Sequence, residues 1–366
     1  MAVTTIDERA RAAVRTLSRY QPGTPVQEVK RTLKLASVIK LASNENALGP
    51  SPKAVAALRQ ATGLLHHYPE SACPQLRAKL ARRLRLAQES LLFGNGSDEL
   101  IVLALRAFVD PGDEVVVATP TFLIYELQAK ACGASVVTVP LKAFRYDLKA
   151  MKAAVTPHTK LVFIANPDNP TGTYVTKREL REFLRDLSRD TIVFLDEAYY
   201  EFVEAPDYPQ TLGLLHDHPV IVTRSFSKAY GLAGLRIGYG AAQPSLIAAM
   251  DAVREPFNVN SLAQAAAAAA LDDAAFLART RQLVRDGRRY LAKELDRLKL
   301  RYVPSVTNFL LIELGPGAPD VARRLLSRGV IVRDLSAWQL PECLRVTIGT
   351  MAENRRFITT LTQCLA

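Results

Sequence analysis

Five short runs rich in β-branched and apolar residues, at 114–118, 135–139, 161–165, 192–195 and 220–222, are separated in several places by amphipathic stretches, at 122–131, 148–155 and 177–187. This alternation limits the fold more than any other feature of the chain. Strands joined through helical crossovers run parallel, so the expected fold class is α/β, with a mostly parallel sheet flanked by helices on both faces. Ligands of such sheets lie beyond the carboxyl ends of the strands. The polar sequences fall there. Thr119-Pro120-Thr121-Phe122 follows the first run, N-P-D-N-P-T-G (166–172) the third, Asp196-Glu197-Ala198-Tyr199 the fourth and Ser225-Phe226-Ser227-Lys228 the fifth. Four loops are therefore predicted to meet along one edge.

The flanking segments complete the organisation. Residues 1–40 read as a helical arm, counted partly with a smaller domain, that leads into an extended segment at 38–42. After the polar turn 43–50, helices are predicted at 52–60, opened by a proline, and at 75–86. The sequence F-G-N-G-S-D-E (93–99) opens a helix through Phe108 with no well-formed strand before it. Residues 41–256 are assigned to a large cofactor-binding domain. Beyond it the composition changes to an Ala-rich helix over 261–277, a charged helix over 280–298, short strands at 308–312 and 330–332, the run L-R-V-T-I-G-T (344–350) and a last helix from Glu353. This second unit, 257–366, is expected to be a smaller α+β domain.

The loops carry a consistent chemistry. Ser225, Ser227 and Arg236 offer neutral and charged donors for a phosphate, and Arg236 has the planar fork suited to a dianion. Gly96, Ser97 and Asp98 open a helix whose unpaired N–H groups could share that phosphate. Lys228 stands beside them, where partial desolvation and a neighbouring cation lower its pKa and free the amine for Schiff-base chemistry. A phosphate-bearing carbonyl compound that suits this set is pyridoxal phosphate, whose ring acts as an electron sink. Asp196 would then keep the ring nitrogen protonated, Asn169 and Tyr199 would donate to the phenolic oxygen, and Phe122 would stack on the ring. Each residue alone has a plainer reading: Asp196 as a helix N-cap, Asn169 as a turn residue, Phe122 as core, Lys228 as a solvated lysine. Their convergence on one edge favours the chemical one.

Composition removes other classes. The net charge is +11, but the 47 basic residues are spread among 36 acidic ones without a basic tract, which fits solvated helix faces and anionic small molecules better than nucleic acid. Cys73, Cys132, Cys343 and Cys364 show no C-x-x-C spacing, and the five histidines no ligand spacing, so neither a disulfide framework nor a metal site is expected. No long apolar block is present, and a cytoplasmic location is expected.

The ordered motifs L-A-S-N-E-N-A-L-G-P (41–50), Y-P-E (68–70), G-N-G-S-D-E (94–99), N-P-D-N-P-T-G (166–172), D-E-A-Y-Y-E-F (196–202), S-F-S-K (225–228), G-L-R-I-G (234–238) and L-R-V-T-I-G-T (344–350) resemble those of the fold-type I pyridoxal-phosphate aminotransferases of classes I and II, and within them the histidinol-phosphate aminotransferases. The resemblance runs from about Tyr20 to the C-terminus. It implies that Lys228 binds the cofactor and shuttles the proton, that Asp196 pairs with the ring nitrogen, that Asn169 and Tyr199 face the phenolic oxygen, and that Phe122, where relatives often carry tyrosine, stacks. It further implies a homodimer in which Tyr68 reaches the cofactor phosphate of the neighbouring subunit. Arg345 would grip the anionic group of an amino donor or a 2-oxo acid, with Arg333, Tyr20 and Asn46 around the same substrate. Ala47 stands where the family commonly has proline, which alters a turn. Two rivals keep the cofactor, an aromatic-amino-acid aminotransferase and a decarboxylase of the threonine-phosphate type. A third, a non-catalytic anion or nucleic-acid binder, is suggested only by charge.

Overall fold

The computed structural model describes residues 9–15, 17 and 23–365. A seven-stranded sheet forms its centre: β1 (Leu91–Gly94), β2 (Glu114–Thr119), β3 (Ser135–Pro140), β4 (Thr159–Ala165), β5 (Ile192–Asp196), β6 (Val220–Ser225) and β7 (Gly238–Ala241), in the order β1-β7-β6-β5-β4-β2-β3. The predicted runs are the parallel strands β2 to β6. Only β7 is reversed, antiparallel to both β6 and β1. Helices pack on both faces, so every residue of the central strands β5 and β6 is buried, apolar from their starts and polar only at their carboxyl ends, at Asp196 and Thr223–Ser225. Phe163, Phe194, Val193 and Leu195 are fully buried, each stabilising the fold by about 1.5 to 3 kcal/mol through removal from water.

Two expectations are corrected. A strand does precede the glycine motif: 91–94 is β1, too short and uniformly apolar to show a period. It can lie close behind the motif because Gly238, in the neighbouring β7, has no side chain; a Cβ there would sit 2.7 Å from the Ser97 nitrogen. Gly238–Ala241, outside the predicted strands, forms β7. The Ala-rich helix over 261–277 is two helices, Ser261–Ala270 and Ala274–Arg297, because Asp273 caps the second by accepting from Phe276 N.

The composition shift near 257 does not coincide with a change of core. Ala263, Ala266, Ala267 and Ala270 pack into the large core with Ala54, Leu76 and Leu80. A second core begins with the long helix Ala274–Arg297, which joins Ala318–Ser327 and Met351–Leu365 over an antiparallel four-stranded sheet, Arg301–Val303, Phe309–Glu313, Arg333–Asp334 and Cys343–Thr347. The N-terminal segment is sewn to this unit: Ile39–Lys40 pairs with Val330–Ile331, and Val29 of the helix Val26–Leu33 is buried with Ala42 and Ile331. No helix among the described residues is long and apolar enough to cross a membrane.

Gly287, inside the long helix, gives a test of the second core. Alanine is the better helix former by about 1 kcal/mol. Its Cβ, however, would lie 2.4 Å from Ile348 Cγ2 and 2.8 Å from the amide of Asn354, which is fully buried and hydrogen-bonded at both ends to Gly349. Overpacking of this kind costs about 1 to 3 kcal/mol. Gly287→Ala should therefore lower the urea midpoint, with an unchanged slope, although propensity alone predicts a rise.

Candidate active site

Because β2, β4, β5 and β6 are parallel, the loops that follow them open on the same edge. They line one cavity of about 210 Å³ together with Ser43, Asn44 and the strand residues Arg333 and Arg345. Of the residues singled out in the sequence, Ser97, Asp98, Phe122, Asn169, Asp196, Tyr199, Ser225, Ser227, Lys228, Arg236, Arg333 and Arg345 border it. Gly96 stands directly behind: at φ +82° it is in the left-handed region, and a Cβ would come within 2.3 Å of Arg236 Nη2.

Lys228 and Asp196 face each other's chemistry from adjacent strand ends. Burial, then the charges of Arg345 and Arg236, lower the Lys228 amine to about 8, so a substantial fraction is neutral near physiological pH. Asp196 is buried and accepts from Tyr125 Oη at 2.7 Å, Ala198 N at 3.1 Å and Thr223 Oγ1 at 3.3 Å. Burial pushes its carboxyl up to about 6 against the opposing Tyr125 hydrogen bond. No cation pairs with this carboxylate among the described residues. A buried, aligned anion without a cation is what a protonated pyridine nitrogen requires, so the residues fit the expected cofactor.

The opposite end suits a phosphate. The helix Ser97–Phe108 begins there with Gly96 as its N-cap, and Ser225 Oγ accepts from Ser227 N at 3.1 Å, which leaves its own proton to donate. Arg236, held at φ +56°, reaches Asp98 Oδ2 at 3.1 Å while half exposed to the cavity. Behind the motif, Glu99 accepts from Asn95 N and, at 2.6 Å, from Asn258 Nδ2, tying the loop down.

At the remaining side, Arg345 donates to Asn169 Oδ1 and, at 2.8 Å, to the Ala42 carbonyl. The contact fixes the Asn169 amide with its NH₂ turned from Arg345. Arg333 is the cross-strand partner of Arg345 and lies over the Trp338 ring at 4.8 Å. The two guanidinium groups thus border one cavity from adjacent strands.

Three residues are placed elsewhere or not at all. Asn46 does not line the cavity: its amide donates to Ala229 O and Thr280 Oγ1, and its oxygen accepts from Leu48 N, a turn-stabilising set. Tyr68 lies outside the cavity of its own chain, 81% exposed and stacked on Phe257 at 4.8 Å. Tyr20 lies outside the described residues. Ser43, Asn44 and Tyr125 were missed. For Tyr125 a signal existed, since it sits three residues after Phe122 at the start of a helix and so turns to the same side. Asn44 differs from Asn46 by its contacts with Thr347, far along the chain, which no local pattern encodes.

The sequence model described as aminotransferase class I and II matches residues 36–361. Histidinol-phosphate aminotransferase of Moorella thermoacetica is 46% identical over 360 residues, 98% of this chain and 93% of that protein. The protein of the same name from an Anaeromyxobacter species is 46% identical over 355 residues, 96% and 98% of the two chains. The crystal structure of histidinol-phosphate aminotransferase from Sinorhizobium meliloti in complex with pyridoxal-5'-phosphate has a TM-score of 0.91 and 29% identity, covering 99% of each chain.

The charge environment of Lys228 yields a pH prediction. In cofactor-free protein, the rate of reductive labelling of Lys228 by a small aldehyde should rise with pH around a midpoint of about 8, as the amine loses its proton. Arg345→Ala removes a cation that favours the neutral amine, so peptide mapping should show the midpoint moving upward.

Proposed function

The chain belongs to the class I and II aminotransferase family, and from that premise we propose that it transfers the amino group of histidinol phosphate to 2-oxoglutarate, giving imidazole-acetol phosphate and glutamate, a step of histidine biosynthesis. It is a pyridoxal-phosphate-dependent enzyme of fold type I. The observation that carries the substrate reading is the pair Arg345 and Arg333, side by side across two strands and opening on the cavity that holds Lys228. One bidentate fork beside a second cation suits a phosphate ester and a dicarboxylate in turn, as a two-half-reaction enzyme requires. The names of the relatives agree with it.

The bound cofactor supplies a ring that accepts electron density from the substrate α-carbon. Lys228 would hold the cofactor's aldehyde carbon and, as a free amine, would take up and pass on the proton of the substrate α-carbon. A neutral amine is needed for that, and burial with Arg345 nearby favours it. Asp196 holds the ring nitrogen protonated, with Tyr125, Thr223 and the Ala198 N–H fixing its two oxygens. Asn169 and Tyr199 donate to the ring oxygen, Phe122 covers one ring face, and Ser97, Ser225, Ser227 and Arg236 take the phosphate, with Gly96 giving room and Asp98 orienting the guanidinium.

The working unit in this reading is a homodimer. Tyr68, with Phe257 beneath it and the exposed Leu64 and Leu65 close in sequence, forms an apolar projection that a second copy would cover, placing the Tyr68 hydroxyl at the partner's phosphate site.

Purified enzyme with 2-oxoglutarate should release glutamate fastest from histidinol phosphate, more slowly from phenylalanine, and should liberate no carbon dioxide from O-phosphothreonine; preference for either of the latter two overturns the assignment. Lys228→Ala should abolish turnover. Arg345→Ala should raise KM about 10- to 100-fold for both histidinol phosphate and 2-oxoglutarate, as loss of a charged hydrogen-bonding group would. A rise for one substrate alone would refute the shared-fork idea.

A further inference from the structure

The hydroxyl of Tyr199 has one proton, and its direction is determined by residues outside the catalytic set. Asn44 N–H donates to Thr347 Oγ1 at 2.9 Å, and a backbone N–H has no other sense. Thr347 Oγ1 lies 3.1 Å from Asn44 Oδ1, so its own proton goes to that oxygen. The Asn44 amide is thereby fixed with its NH₂ outward, and Nδ2 donates to Tyr199 Oη at 2.9 Å. Tyr199 accepts there, and its proton meets no acceptor among the described residues other than what enters the cavity that Tyr199 and Asn44 both line.

The support for this relay comes from the second core. Thr347 ends the strand Cys343–Thr347, its N–H donating to Leu41 O at 2.8 Å, and Asn308 Nδ2 holds the Asn44 carbonyl at 3.0 Å. Asn44 itself adopts φ +56°, a conformation that asparagine tolerates better than most residues. All three residues are buried.

We propose that Asn44 and Thr347 are positioning residues that aim the Tyr199 proton at the cofactor's ring oxygen and strengthen that donation. The proposal rests on the reading of Tyr199 given above. A hydroxyl that accepts one hydrogen bond donates a stronger one. A stronger donor draws electron density from the ring oxygen and lowers the affinity of the bound cofactor for its proton, which the visible absorption reports.

The experiment is a pH titration of the visible absorption of the holoenzyme. Tyr199→Phe should raise the midpoint; no change would refute the placement of Tyr199 and the relay with it. Asn44→Ala and Thr347→Val should each raise it by roughly 0.3 to 1 pH unit, less than Tyr199→Phe, while Thr347→Ser restores the native value. In the Tyr199→Phe background, Asn44→Ala should cause no further shift. An equal shift in both backgrounds, or none in Asn44→Ala and Thr347→Val when Tyr199→Phe does shift, overturns the relay and leaves the Tyr199 assignment standing. Thr347→Val acts from the second core, so it decides the matter if Asn44→Ala fails to fold.

Discussion

Two consecutive carboxylates are buried at the end of the central strand β5, and the site depends on how each is satisfied. Side chains alternate across a sheet, so Asp196 and Glu197 point to opposite faces. Glu197 meets Arg224, whose Nε and Nη2 both lie 2.8 Å from Oε2, with Tyr208 and Thr211 hydroxyls on Oε1. Arg224 in turn stacks on the Tyr200 ring at 3.4 Å. This carboxylate is complete within the protein. Removing one member of such a pair leaves a buried charge and costs about 3 to 5 kcal/mol, so the pair holds the strand ends in place. Among the described residues, Asp196 receives hydrogen bonds but no cation. The asymmetry completes one face of the strand end and leaves the other to the role proposed for Asp196.

The cavity lies where the two cores meet, and its walls belong to both. Arg345 and Thr347 come from the second sheet, yet the first holds Asn169 and the Ala42 carbonyl and the second holds Asn44. Val306 N donates to the Gly172 carbonyl at 3.0 Å, joining the Asn169 loop to the same unit. In the proposed reading, a substrate anion on Arg345 would be held by an element already hydrogen-bonded to Asn169 and Asn44.

Much of this was legible in the sequence because it follows from periodicity. The parallel strands β2 to β6 show as β-branched runs, and parallel strands force their following loops to one edge, so Phe122, Asn169, Asp196 and Lys228 converge by topology. What was not legible depends on contacts between segments far apart in the chain. Asn44 and Asn46 are two asparagines of one motif, and only the meeting of Asn44 with Thr347, 303 residues on, puts it rather than Asn46 at the cavity. The strand β1 is four apolar residues and carries no period. The break between the helices Ser261–Ala270 and Ala274–Arg297 lies in Asp273, whose carboxylate also accepts from Ser51 at 2.6 Å, another distant partner.

The central claim is that one amine, at the end of β6, carries the cofactor covalently. Holoenzyme reduced with borohydride, digested and mapped by mass spectrometry tests it most directly. The account predicts a pyridoxyl adduct on Lys228 and on no other lysine. An unmodified Lys228, with the adduct elsewhere or nowhere, would contradict it.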